Sequence, residues 1–216
     1  YERPKWGRLG RAFLIQGERN ACRYAHRVIC VSQAIKDDLD TRFPKNAQRY
    51  VTIRNGGSLD FTERLDESDI LREFSLTPGG YFLAVGRLEE TKGFHELITA
   101  YQHIKQPSKK LVICGVGVHA EQYAKNLTSN ASENIIFVGY QIGERLKTLY
   151  ANTALFIHPS HMEGFCLVVT EALSAGVPIA LSDIPPHREF KLPEQCFFNM
   201  GDIAAITAIL QQDDYG

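Results

Sequence analysis

The sequence predicts an α/β domain with a doubly wound, Rossmann-like parallel sheet, on three observations. Short apolar, β-branched runs recur at residues 81–85, 111–114, 135–138, 155–158 and 178–181. Helical patterns alternate with them, and the runs are apolar throughout rather than at every second residue. Alternating strands and helices connect by right-handed crossovers, and a parallel sheet covered on both faces needs strands that are apolar on both sides.

Each element has its own signature. Phe94, Leu97, Ile98, Tyr101 and Ile104 share one helical face after the first run, and Pro107 stops that helix. Leu146, Leu149 and Tyr150 mark a shorter helix before the fourth run. Residues 167–175 form another before the fifth, closed by Gly176 as a left-handed cap. Asp202 is the N-cap expected for a last helix carrying Ile203, Ile206, Ile209 and Leu210.

Residues 1–75 read differently from residues 76–216. They predict an amphipathic helix over 9–27, a strand over 28–31, a helix opened by Ser32 and a strand over 50–53 that runs into the turn Asn55-Gly56-Gly57. Two strands make no independent sheet, so this stretch is expected to belong to a domain whose first part lies elsewhere, or to pack onto the second.

Composition excludes several classes. With 24 basic and 25 acidic side chains the net charge is −1, and nucleic acid is not an expected partner. No apolar run approaches the roughly 20 residues of a spanning helix. The five cysteines are odd in number and lack a CxxC pair, which favours reduced thiols and a cytoplasmic location, although N-x-S/T tripeptides at Asn126 and Asn130 point the other way. Arg3, Lys5, Arg8, Arg11, Arg19, Arg23 and Arg27 make the first helix basic, which suits either a solvated face or peripheral contact with an anionic membrane.

In open parallel sheets, ligands bind outside the carboxyl ends of the strands. The residues expected there are Gly86-Arg87 with Lys92-Gly93, Gly115 and Gly117, Gly139 with Tyr140, and 159–164. Glycine and charge at four exits suit a polyphosphate lying against backbone N–H groups. Glu163-Gly-Phe-Cys-Leu-Val-Val-Thr-Glu171 is the sharpest group. Gly164 and its neighbours precede a helix start, and Glu171 sits amid Leu167, Val168, Ala172 and Ala175, where a carboxylate needs bonding partners that ligand hydroxyls would supply. The competing reading is a solvated stripe of Thr170, Glu171 and Ser174.

The runs Val85-Gly-Arg-Leu-Glu-Glu-Thr-Lys-Gly93 and His158-Pro-Ser-His-Met-Glu-Gly-Phe-Cys-Leu-Val-Val-Thr-Glu-Ala-Leu-Ser-Ala-Gly-Val-Pro178 resemble the two signatures of the group 1 retaining glycosyltransferases of GT-B fold, including an E-x7-E motif from Glu163 to Glu171. Ala25-His-Arg-Val-Ile-Cys-Val-Ser32 and Ile53-Arg-Asn-Gly56 resemble that family's approach to its C-terminal donor-binding lobe. The resemblance implies that Arg87 and Lys92 hold a donor diphosphate and that Glu171 takes the ribose hydroxyls. Glu163, with the backbone of Gly164, Phe165, Cys166 and Leu167, would hold the sugar and serve as the catalytic-side residue. Tyr140 would lie beside the nucleobase, with Gly86 and Gly115 allowing close approach. It further implies a metal-independent hexosyltransferase with no cofactor, acting in polysaccharide biosynthesis on a saccharide or lipid-linked acceptor.

Some residues depart from the resemblance. Cys166 stands where the family commonly has glycine, which is expected to narrow the sugar pocket, and Arg54 and Gly57 replace proline and valine. The family's acceptor lobe is expected before residue 1 and its closing helix after Gly216, so residues 1–75 read as the end of an N-terminal lobe and linker, and this chain alone is expected to bind donor without transferring sugar. The alternative is a non-catalytic donor-lobe fragment or scaffold subunit. Asp38-Leu39-Asp40 spells the motif of metal-dependent transferases but is expected on a solvated helix face. Gly115-Val-Gly-Val-His-Ala120 fits a dinucleotide fingerprint, yet the next strand ends in Gly139-Tyr140 rather than an acid, which argues against a nicotinamide enzyme. His95, His103 and His158 read as structural, and His187 and Glu189 as unassigned.

Overall fold

The computed structural model describes residues 7–57, 59, 61, 69–118, 120–212 and 215, and divides the chain into two units, 1–55 and 56–216. Arg3 and Lys5 of the basic stretch lie outside the described residues.

The first unit contains α1 (Arg8–Tyr24), β1 (Val28–Cys30), α2 (Gln33–Arg42) and β2 (Tyr50–Thr52), with the two strands parallel. Ser32 caps α2 as its sequence position predicts, its Oγ accepting from the N–H of Ile35 at 3.2 Å. α1 stops three residues short of the expected 27, because Ala25 is extended. Cys22, Cys30, Leu39 and Tyr50 form a small core. Arg42 bridges the two helices through both oxygens of Glu18, at 2.6 and 2.7 Å. Asp38 and Asp40 are ion-paired along their own helix to Arg42 and Lys36, as a helix face requires.

The second unit is built on β3 (Tyr81–Val85), β4 (Lys110–Cys114), β5 (Ile135–Gly139), β6 (Leu155–His158), β7 (Ile179–Ser182) and β8 (Phe197–Phe198). All pairs are parallel, in the order β5-β4-β3-β6-β7-β8. Successive residues of each strand face opposite layers. Phe82, Ala84, Leu111 and Ile113 pack on one side with α4 (Phe94–Gln102) and α9 (Ile203–Leu210). Tyr81, Leu83, Val85, Val112 and Cys114 pack on the other with α6 (Gly143–Ala151) and α7 (Leu167–Ser174). Both faces are covered, which is why the runs are apolar throughout.

Asp202 caps α9, accepting from the N–H of Ala205 at 2.9 Å, and Gly176 is left-handed after α7, with φ 68°. The structure adds α3 (Asp69–Glu73), α5 (Glu121–Ser129), α8 (Pro185–Arg188) and β8, which sequence patterning did not resolve. α3 belongs to the second unit: Ile70 is fully buried, and Glu73 pairs with Arg145 of α6 at 2.7 Å. Among the described residues, no helix is long and apolar enough to cross a membrane.

Candidate functional site

The strand order reverses where β3 lies between β4 and β6, and an open parallel sheet forms its ligand crevice at such a reversal. There the exits of β3, β4 and β6 are drawn together through the main chain. Gly115 adopts φ 150°, and a Cβ on it would lie 1.8 Å from the carbonyl oxygen of Gly86. Gly93, at φ 67°, admits the carbonyl of Pro159, which a Cβ would meet at 2.2 Å. The N–H of His161 and the hydroxyl of Ser160 both donate to the carbonyl of Thr91, at 2.8 and 3.2 Å. The two motif loops, 71 positions apart at Lys92 and Glu163, are thereby clasped.

Their side chains meet as well. Lys92 Nζ lies 2.6 Å from Glu163 Oε1, with side chains only 10% and 9% exposed. His158, at the end of β6 and wholly buried, approaches the same oxygen through Nε2 at 2.7 Å. Burial holds the imidazole below its ordinary pKa despite that bond, so near neutral pH His158 donates a hydrogen bond without carrying charge. Burial alone would raise the Glu163 carboxyl, but the His158 bond and the Lys92 charge outweigh it and hold it well below the usual carboxylate range. The standing counter-charge of Glu163 is therefore Lys92.

Glu171, one helical turn into α7, is 7% exposed, which removes it from the solvated-stripe reading. The phenol of Tyr150 on α6 donates to Glu171 Oε2 at 2.9 Å. Burial first, and the Glu171 charge second, push that phenol well above its ordinary pKa, so it remains a donor.

Cys166 occupies the position where glycine is usual in the family and takes the backbone glycine would, with φ 77° and ψ 73°. A non-glycine residue in this region costs roughly 1–2 kcal/mol. Its side chain joins the apolar cluster beside Val169 and Ala172, rather than only narrowing a pocket. Phe165 is buried against Phe190, with ring centroids 5.7 Å apart, while Gly164 and Leu167 are exposed. Arg87, one residue past Gly86, has a half-exposed guanidinium 3.2 Å from the Glu89 carboxylate. Tyr140 follows the left-handed Gly139 and is 69% exposed, next to the equally solvent-facing Ile142.

Sequence spacing found no metal cluster, yet the fold brings one possible ligand atom from each of His158, Glu163, Cys166 and His187 within 4.8 Å of one another. These residues come from a strand end, a loop, a helix cap and α8, so no spacing announces them. A divalent cation there would face the Lys92 ammonium already seated on Glu163. His187 is fully buried, its Nδ1 2.8 Å from the Ser182 carbonyl oxygen, and burial pushes its pKa down to about 4. His95 is not isolated either: its Nδ1 lies 2.9 Å from the Tyr123 hydroxyl.

With this geometry in hand, comparison with known proteins is informative. Residues 69–208 match the family model of glycosyl transferases group 1. The chain belongs to that family. It is 30% identical over 200 residues to the O-antigen chain mannosyltransferase B of Escherichia coli, covering 88% of this chain and 52% of that protein. It is 29% identical over 171 residues to a glycogen synthase of Mycobacterium tuberculosis, covering 75% of this chain and 38% of the relative. Among solved structures, HepE of Anabaena, crystallised with UDP and glucose, superimposes with a TM-score of 0.77 at 23% identity, over 92% of this chain and 56% of its own. Sucrose-phosphate synthase of Thermosynechococcus elongatus gives 0.74 at 20% identity, over 98% of this chain and 53% of its own. The fold is therefore that of GT-B glycosyltransferases, and the chain spans about half the length of the relatives it matches.

Proposed function

We propose that residues 56–216 bind a nucleoside-diphosphate sugar at the clasped exits of β3, β4 and β6. With an acceptor-binding lobe, the protein transfers the hexosyl group with retention to a saccharide or lipid-linked acceptor. The observation that supports this reading is the buried Lys92–Glu163 pair, which joins the two motif loops at 2.6 Å through a cation and a carboxylate. Arg87 and Lys92 hold the diphosphate and stabilise the charge that develops on it as the glycosidic bond breaks, which lowers the barrier to transfer. Glu171 accepts from the ribose hydroxyls. Glu163 and the backbone from Gly164 to Leu167 hold the sugar, and Tyr140 lies beside the nucleobase. Donor binding is metal-independent, because side-chain cations and a helix N-terminus serve where a metal otherwise would. The UDP and glucose bound by HepE support the donor class, and the names of the mannosyltransferase and glycogen synthase relatives support polysaccharide synthesis. Arg8, Arg11, Arg19 and Arg23 on α1, together with exposed Leu9 and Phe13, support peripheral membrane contact, checked by co-sedimentation with anionic vesicles.

Thermal-shift titration with UDP, GDP and ADP and their sugars, with and without EDTA, tests the reading. A ligand at a hundred times its Kd stabilises the folded state by about 2.7 kcal/mol. One nucleotide series is expected to raise the Tm equally with and without chelator, and Arg87→Ala or Glu171→Ala is expected to abolish the shift in a folded protein. Unchanged shifts in both variants would overturn the assigned roles.

A further inference from the structure

We propose that Tyr150 is a positioning residue for nucleoside recognition: its phenol sets the orientation of the Glu171 carboxylate, so that preference for ribose over deoxyribose depends on a hydroxyl that itself touches no ligand. The inference rests on the reading of Glu171 as the ribose acceptor and adds the group that makes it selective.

A carboxylate at the end of a glutamate rotates about a broad, roughly two-fold torsion, so its position in the backbone does not fix the plane of its oxygens. Glu171 is nearly buried and carries Val169 and Ala172 as helix neighbours in the apolar cluster, so an ionised carboxylate needs hydrogen bonds to remain there. Tyr150 supplies one from another helix, 21 positions earlier in the chain.

That phenol is itself held in place. It is fully buried, its ring lying edge-on to Phe61 at 6.4 Å and tilted against Phe156 at 5.5 Å. The hydroxyl lies 3.2 Å from the Val168 carbonyl oxygen and 2.9 Å from Glu171 Oε2. One proton faces two acceptors, and the ionised one forms the stronger bond. Burial and the neighbouring carboxylate keep the phenol protonated, so the donor is permanent. A lysine or arginine at position 150 would also orient the carboxylate, but would neutralise it. A phenol fixes the direction of the carboxylate while adding no positive charge of its own.

The test compares Kd values for UDP and dUDP, and for GDP and dGDP, by calorimetry on the full chain. Wild type is expected to prefer the ribonucleotide about tenfold, the worth of one hydrogen bond to a charged group. Tyr150→Phe is expected to bring that ratio to about two, and Glu171→Gln to about one, on the same scale. A residue with only a structural role would lower the Tm and weaken both nucleotides together, leaving the ratio untouched. If Tyr150→Phe retains the wild-type ratio while Glu171→Gln loses it, the positioning role is overturned and the Glu171 reading stands. If Glu171→Gln retains the ratio, or wild type shows none, both fall. Should Tyr150→Phe not fold, Phe61→Leu loosens the ring while keeping the hydroxyl. A ratio lowered about threefold is then expected, a fraction of that bond, and an unchanged ratio overturns the proposal.

Discussion

Glu163 and Glu171 stand at the two ends of one short segment, are buried to nearly the same degree, and are stabilised in opposite ways. Glu163 meets a full cation, Lys92, and a neutral imidazole on one oxygen. Glu171 meets the phenol of Tyr150, a partner that bonds without cancelling charge. In the proposed reading the contrast follows the ligand: the diphosphate brings negative charge that Lys92 can serve once it leaves Glu163, whereas the ribose brings neutral hydroxyls that need a carboxylate still fully charged.

The comparison breaks first at Lys92. Lys92→Ala leaves Glu163 ionised and buried without a counter-charge, and removing one partner of a buried pair costs about 3–5 kcal/mol. Urea denaturation is expected to show that loss, and Lys92→Ala with Glu163→Gln to recover most of it. A loss under about 1 kcal/mol, the range of an exposed pair, would mean that the pair does not neutralise Glu163.

Acid probes the histidine side of the same pocket. The folded-state pKa of His187 is about 4, below the ordinary 6.5, so the unfolded chain takes up the proton first as pH falls. The stability held above pH 6.5 is therefore lost between 6.5 and 4, by roughly 3 kcal/mol. His187→Asn is expected to flatten that part of the stability profile, and an equally steep profile in the variant would assign the acid sensitivity elsewhere.

Cys166 lies between the two carboxylates and sets the turn into α7. Cys166→Val places a branched side chain at φ 77° and is expected to cost about 2 kcal/mol, whereas Cys166→Gly is expected to stay within about 1 kcal/mol of wild type because relief of strain offsets lost burial. Equal losses in the two variants would mean that the thiol, not the backbone, matters. Smallest is Glu171→Gln: the phenol keeps an acceptor, so stability is expected to change by no more than about 1 kcal/mol while nucleotide binding falls.

The sheet was legible because each buried strand wrote its full length in apolar residues, and Asp202 and Ser32 announced their helices through the capping bonds they make. α5 was missed because its stripe is short: Tyr123, Ala124 and Leu127 pack on the core within a run that is otherwise polar, and Leu127 is its one buried residue. β8 is two residues long and acquires its identity from pairing with β7. In the site, Lys92 and Glu163 were expected at one carboxyl edge of the sheet, and the fold supplies what the sequence did not, that the strands before them are neighbours. The Tyr150–Glu171 bond was not expected, because it joins faces of two helices whose relative rotation no local pattern encodes. The cluster of His158, Glu163, Cys166 and His187 was hidden because its members come from four separate elements.

The Thr91 carbonyl oxygen accepts from the His161 N–H and the Ser160 hydroxyl, and positions 93 and 115 admit the carbonyls of Pro159 and Gly86, so the latch asks chiefly that those two positions lack a Cβ. Such a frame fixes the walls of the crevice through the main chain and leaves side chains to decide what it prefers. Two glycines thus set where those walls stand.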